Sequence, residues 1–305
     1  DGRYGVATTD ISTGDFLVTE VDTDRELFDE INKFSPSEII CNNAFYVTGV
    51  DIEELKNRYH VAVSSLEPRF FGEEACRRVL KEHFHVGALS GLGLEDMGTG
   101  IIAAGAVMQY MYETQKSTLE HITTIHPYST GQFMILDTST RRNLELVETL
   151  REKNKRGTLL WVLDKTKTAM GARLLRSWIE QPLIKREAII ARQDAVEELN
   201  MNYISREEIR EYLNPVYDLE RLIGRISYRT ANPRDLIAFC TSLELLPHIR
   251  EILREFHSQL FKGAAEDMDP LEDLFDLVKR AIVEEPPITL REGGIIREGF
   301  SQEAD

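Results

Sequence analysis

The pattern of apolar residues changes near residue 140, and that change dictates two differently built parts. Up to "FMILDTST" (133–140) the chain mixes strand-like alternation with helical spacing; from Arg141 onward almost every segment has helical period. Val6, Thr8 and Asp10 alternate with Ala7, Thr9 and Ile11, and Ser12-Thr13-Gly14-Asp15 is a turn cluster, so residues 4–21 are expected to form a β-hairpin. Asp24 should cap a helix over 25–33 with Leu27, Phe28 and Ile31 inside, ended by Pro36. "EIICNN" (38–43) and "HVAVSSL" (60–66) read as short strands with a helix, 51–58, between them. Amphipathic spacing predicts a helix over 71–84, and the long apolar run after "GALSGLGLED" predicts a buried one over 97–116. Strands and helices in alternation imply an α/β layer. Beyond Arg141, helices are expected at 141–152, 168–180, 185–200, 205–213, 217–227, 233–256 and 270–283, giving an all-α second domain. The domain plan is therefore 1–118 α/β, 119–132 a polar link, and 133–305 helical.

Length agrees with this plan, since 305 residues suggest about two domains. The longest apolar run, 101–112, is too short for a bilayer span, which needs about 20 residues. Three scattered cysteines, Cys41, Cys76 and Cys240, have no metal-ligand spacing and fit a reducing cytoplasm. With 36 basic against 52 acidic residues the net charge is -16, which opposes a self-sufficient nucleic-acid reader. The start at Asp1, already beside a strand and without an initiator Met, is expected of a piece cut from a longer chain, as is the end within a polar helix start.

Candidate sites follow from residue chemistry. Asp10 on a strand could open a metal-dependent nuclease site, but two metal ions held roughly 4 Å apart need three or four converging carboxylates. Glu67 is the nearest supplement, the 38–43 strand adds none, and nothing brings Asp96 to Asp10. "GLGLEDMGTG" (91–100) lacks the lysine of a phosphate loop, and His83 and His85 diverge on a helix with no third ligand. No catalytic residue, metal site or cofactor site is therefore assigned to this chain. Residues 151–176 carry Arg151, Lys153, Lys155, Arg156, Lys165, Lys167, Arg173 and Arg176 against only Glu152 and Asp164. Of these, Lys153, Lys155, Arg156, Lys165 and Lys167 are the candidate phosphate contacts. Arg77, Arg78 and Lys81 form a basic helix face suited to partner docking.

These stretches carry a resemblance. "YGVATTDISTGDF" (4–16) and "LSGLGLEDMGTGIIAAGAVMQYMYETQKSTLEHI" (89–122) resemble the start and end of the connector domain of the bacterial MutS mismatch repair family. "LDTSTRRNLELVETLREKNKRGTLLWVLDKTKTAMGARLLRSWIEQPL" (136–183) is similar to the opening of its core, or lever, domain, and 217–243 and 291–300 continue it. The resemblance implies an RNase H-like α/β connector followed by a helical core, in a cytoplasmic, nucleoid-associated protein. It further implies mismatched double-stranded DNA and MutL as partners, a homodimer at full length, and ATP with Mg²⁺ in an ATPase domain absent from this chain. Phe28-Asp29-Glu30 and Phe71-Gly72-Glu73 match the family's short Phe-x-Glu wedge, but in the wrong domain, so the wedge is not carried over. The implied role is non-catalytic, linking DNA-facing regions to the ATPase and offering MutL a docking surface; the basic helix face at Arg77, Arg78 and Lys81 is expected to be part of that surface. The rival expectation is a metal-dependent nuclease on the same RNase H-like layer.

Overall fold

The structure is a computed structural model; it describes residues 2–301 except 35, 49, 60, 116–118, 135, 137 and 289. The expected link boundary at residue 118, the first residue of the "HVAVSSL" strand and the last residue of the 97–116 helix lie outside the described residues. The chain divides into two compact units, 1–161 with 179–182, and 162–178 with 183–305.

In the first unit, β1 (Tyr4–Asp10) and β2 (Asp15–Val21) pair antiparallel in register from Tyr4 opposite Val21 to Asp10 opposite Asp15. Gly14, at φ 84°, closes the turn in a conformation only glycine adopts without strain. α1 (Asp24–Phe34) follows, its first turn tied by Glu26, whose carboxylate accepts from the amides of Asp22 and Thr23. β3 (Glu38–Cys41), α2 (Ile52–Tyr59) and β4 (Ala62–Ser65) form a βαβ unit with parallel strands. Val21, Leu27, Ile31, Cys41, Phe45 and Leu55 merge the hairpin, α1 and the βαβ unit into one core. Among the described residues the strands fall into two sheets, one of three strands and one of two.

α3 (Glu73–His83) starts two residues later than its periodicity suggests, because Pro68–Phe71 forms a 3₁₀ turn first. α4 (Gly98–Gln115) is apolar on all sides and packs against β1, β2 and α3, with Ile101, Ala104 and Met108 fully buried. That enclosure explains a helix without a polar face. The stretch expected as a polar link is instead part of this unit. Leu119, Ile122 and Ile125 are buried, and β5 (His126–Pro127) pairs parallel with β2. Three apolar residues at near-helical spacing among Thr, His and Glu gave too weak a pattern to reveal this.

α5 (Thr138–Asn143) is short, and the expected helix 141–152 does not continue. Glu145 and Lys153 take left-handed backbone at φ 46° and 48°, and the Glu145 carboxylate accepts from the Leu150 amide, so the chain turns instead. α6 (Leu159–Leu163) and α7 (Ala169–Glu180) lead onward. The remainder is α8 (Arg186–Met201), α9 (Tyr203–Leu213), α10 (Leu219–Ser227), α11 (Pro233–Arg254), α12 (Gln259–Asp267) and α13 (Glu272–Ala281). α11 is the spine of the second unit, packing on α9, α10, α12 and α13. It begins with a capping box between Asn232 and Asp235. Phe239 and Leu243 pack with Leu222, and Ile249, Ile252 and Leu253 with Val216, Phe256 and Ala265. Among the described residues the second unit has only an isolated bridge, Ile282 with Ile296, and no named strand. No helix of the described residues is long and apolar enough to cross a membrane.

Candidate functional site

Asp10 sits at the exposed end of β1, and its carboxylate accepts from the Ser12 amide at 2.8 Å and the Ser12 hydroxyl at 2.7 Å. That is an Asx turn, the ordinary use of an aspartate before a tight reversal. Glu67 is exposed and paired with Arg69 at 3.0 Å, and Asp96 is exposed. Among the described residues no group of three His, Cys, Asp or Glu side chains is placed to hold a metal ion.

The glycine-rich stretch leads into the N-terminus of α4, where backbone N–H groups favour an anion. That place is filled from within. The Glu20 carboxylate on β2 accepts from the Gly100 amide and the Thr99 hydroxyl, both at 2.8 Å, and pairs with Arg3 at 3.2 Å. These bonds outweigh burial and hold the Glu20 carboxyl below its ordinary range. A nucleotide phosphate here would meet a carboxylate already in its position, so this helix end does not fit one.

His83 is also spoken for. Its Nε2 lies 2.7 Å from the Ile122 carbonyl, which only accepts, so Nε2 carries the hydrogen and Nδ1 accepts from the Tyr112 hydroxyl at 2.6 Å. Burial pushes the His83 imidazole below its ordinary value, and His85 and His121 nearby push it further, against the Ile122 bond. Both ring nitrogens are engaged, so the "HFH" stretch offers a metal no imidazole at His83.

Arg77, Arg78 and Lys81 lie on α3, as the spacing predicts. Arg78 is exposed, whereas Arg77 and Lys81 are half-buried. Arg77 is paired to Glu73 one turn earlier at 2.9 Å, and Glu74 and Glu82 are exposed on the same helix. The face is therefore mixed in charge rather than uniformly basic. Arg151, Lys153, Lys155 and Arg156 lie together in one exposed turn, closed by Lys153 N–H to Thr149 O and Thr149 N–H to Asn154 O. Lys165 and Lys167 are exposed too, but belong to the second unit. Arg173 is not available to an outside anion. It binds Asp218 through two bonds of 2.7 Å and reaches Glu220 as well, which raises its guanidinium above the ordinary value.

One buried polar cluster was not anticipated. At the end of α1, Glu30, Asn32 and Lys33 are almost without solvent contact. The Lys33 ammonium lies 3.2 Å from Glu30 and 4.1 Å, 4.8 Å and 5.4 Å from the ring centres of Tyr128, Phe34 and Phe133. It is a cation in an aromatic cage. Burial lowers its ammonium, and the Glu30 charge opposes that. The Tyr128 hydroxyl donates to Glu30, and burial with the neighbouring carboxylate raises that phenol far above its ordinary value. Beside the cluster, the Arg141 guanidinium donates to three carbonyls, Leu136 at 3.1 Å, Asn32 at 3.3 Å and Glu180 at 3.2 Å. A lysine near a helix end reads as a solvated charge, and two of its aromatic partners, Tyr128 and Phe133, are far away in sequence, so local pattern carried no signal.

Two family models match the chain in succession, MutS domain II over residues 1–123 and MutS domain III over 139–304. Among curated relatives, the DNA mismatch repair protein MutS of Lachnoclostridium phytofermentans is 59% identical over 305 residues, covering 100% of this chain and 33% of that protein. Proteins of the same name from Ruminiclostridium cellulolyticum and Acetivibrio thermocellus are 45% and 43% identical, over 99% of this chain and 35% of each. The chain thus spans about a third of the length of these relatives.

Proposed function

The chain belongs to the MutS family of DNA mismatch repair proteins, and on that premise we propose that it is a non-catalytic linking piece of a protein that recognises mispaired duplex DNA. One observation carries the reading: two adjoining family models span nearly the whole chain; the engagement of Asp10, Glu20 and His83 in local hydrogen bonds agrees with it. In this reading the first unit derives from an RNase H-like layer; the parallel β3–α2–β4 unit beside an antiparallel hairpin supports that descent. Nucleotide chemistry, with ATP and Mg²⁺, belongs to polypeptide other than these residues. The working form is a homodimer in the bacterial cytoplasm, on the nucleoid.

The linking role is mechanical. A helical unit built on one long spine, α11, and an α/β unit with a continuous core are stiff enough to pass a displacement on, which a loose tether is not. The partners are mismatched duplex DNA and MutL. The α3 face contributes to MutL docking through Arg78 and Lys81, with Arg77 partly neutralised by Glu73. The turn carrying Lys153, Lys155 and Arg156, and separately Lys165 and Lys167, supply weak phosphate contacts.

The test uses the full-length protein. Reversing the charge of Arg77, Arg78 and Lys81 together should weaken MutL binding, more so at low salt, with mismatch affinity unchanged. Affinity for MutL that stays the same at every ionic strength would remove α3 from the docking surface. Failure of the wild-type protein to prefer mismatched over matched duplex would remove the family role itself.

A further inference from the structure

Arg141 stands where three chain segments end. Asn32 O lies near the C-terminus of α1, Glu180 O is the last carbonyl of α7, and Leu136 O precedes α5. Helix C-termini expose unpaired carbonyls and the negative end of the helix dipole. One planar guanidinium meets two such ends at once, with its donors in a fixed fork. Two further ties run beside it. The Met134 amide donates to Pro182 O at 2.7 Å, just past the end of α7. On the other side, the Lys33 cage holds the end of α1 to Tyr128 and Phe133, and the Tyr128 main chain is itself fixed to β2 by the bonds to Val18 and Thr19. All of these residues lie within the first compact unit, although Asn32 falls in the stretch matched as MutS domain II and Arg141 and Glu180 in that matched as domain III.

We propose that Arg141 is a positioning residue that clasps the C-terminal ends of α1 and α7, so that a disturbance of one is felt at the other. This rests on the mechanical reading for its purpose, and on the geometry alone for its existence. Residues 179–182 group with the α/β unit, so a boundary between the compact units falls inside the second matched domain.

The guanidinium is the component that makes the joint two-sided. Its bonds to Asn32 and Glu180 leave from different nitrogens, and a lysine ammonium at the end of a flexible stem cannot present the same fork. Neutralising it takes a charged donor away from both carbonyls, which loosens both ends.

Backbone hydrogen exchange on the 305-residue chain tests the coupling. Leu27→Ala, which removes a buried side chain from α1, serves as the disturbance. With Arg141 intact, Leu27→Ala should speed exchange at residues 179–181 at least tenfold. In an Arg141→Gln background the same substitution should change exchange there less than twofold, while residues 101–111 of α4 exchange alike in both backgrounds. Arg141→Lys, the milder variant if Gln prevents folding, should give an intermediate transmission. A purely structural Arg141 would raise local exchange but leave the effect of Leu27→Ala equal in both backgrounds, and that result overturns the proposal. So does absence of any response at 179–181 with Arg141 intact. The readout uses neither DNA nor nucleotide, so it stands or falls apart from the family role.

Discussion

Gly105 on α4 faces Cys76 on α3 so closely that a Cβ built on the glycine would lie 2.3 Å from the cysteine Cβ and 2.5 Å from its Cα. The two helices approach at this point because no side chain intervenes. Gly105→Ala must therefore push the helices apart, and overpacking of this kind costs about 1–3 kcal/mol. Gly263 on α12 has nothing within 4 Å of its would-be Cβ. Gly263→Ala should instead stabilise by about 0.5–1 kcal/mol through helix propensity. Urea titration of both variants checks the opposite signs.

Cys76 should resist alkylation. Its thiol is fully buried, donates to Phe70 O at 3.2 Å, and is pushed up to about 11 by burial, against the bond from Gln109. At neutral pH the thiolate is scarce and shielded. In a native iodoacetamide time course Cys76 should label at the rate of unfolding, and rapid labelling without denaturant would contradict this packing.

The first unit should lose stability as pH falls. His83 is held neutral, with its folded value below the ordinary 6.5, so the unfolded chain binds the extra proton first. The contribution is complete above about pH 6.5 and declines as pH drops from there through the lowered folded value. Thermal unfolding between pH 7.5 and 5.5 should show this slope, and His83→Gln should flatten it. An unchanged slope in the variant would assign the effect elsewhere.

Arg173 and Asp218 should form a strongly coupled pair. Asp218 also caps α10 by accepting from the Arg221 amide at 3.4 Å. Charge-assisted bonds of this sort contribute about 1.5–3 kcal/mol where partly shielded, and Asp218 is 19% exposed. Arg173→Ala and Asp218→Asn should each destabilise the second unit, and Asp218→Ala more than Asp218→Asn, because Asn retains the cap. A double-mutant cycle that gives additive losses would mean the pair is not coupled.

Asp10→Asn should leave any Mg²⁺- or Mn²⁺-dependent cleavage of DNA or RNA by this chain unchanged from wild type. The Asn oxygen still accepts from Ser12, so the turn survives. Cleavage abolished by the substitution would restore the nuclease expectation.

Much of this architecture was legible in local pattern. The hairpin, α1, the strands of the βαβ unit and most of the later helices fall where alternation and helical spacing place them, because each element buries one face and that face has a period. What pattern could not supply was anything settled by distant partners. Leu119, Ile122 and Ile125 look like scattered apolar residues in a polar stretch, yet the fold buries all three. Lys33 and Arg141 read as ordinary surface cations, and only the fold turns them inward. The α3 cations were found, but not the neutralisation of Arg77, which needed the side-chain geometry with Glu73. The eight-cation run at 151–176 was divided by the fold, with Arg173 taken by Asp218.

The two-residue strand β5 has a consequence for synthesis. The sheet begun by residues 4–21 gains its third strand only from His126 and Pro127, and Thr19 waits for the carbonyl of Tyr128, 109 positions downstream. A nascent chain therefore carries an unfinished sheet edge through more than a hundred rounds of peptide addition. Contacts of such long range are slow to close and leave a strand open to wrong pairing in the meantime. Charged and exposed Asp15 at the start of β2 is placed to keep that waiting edge soluble.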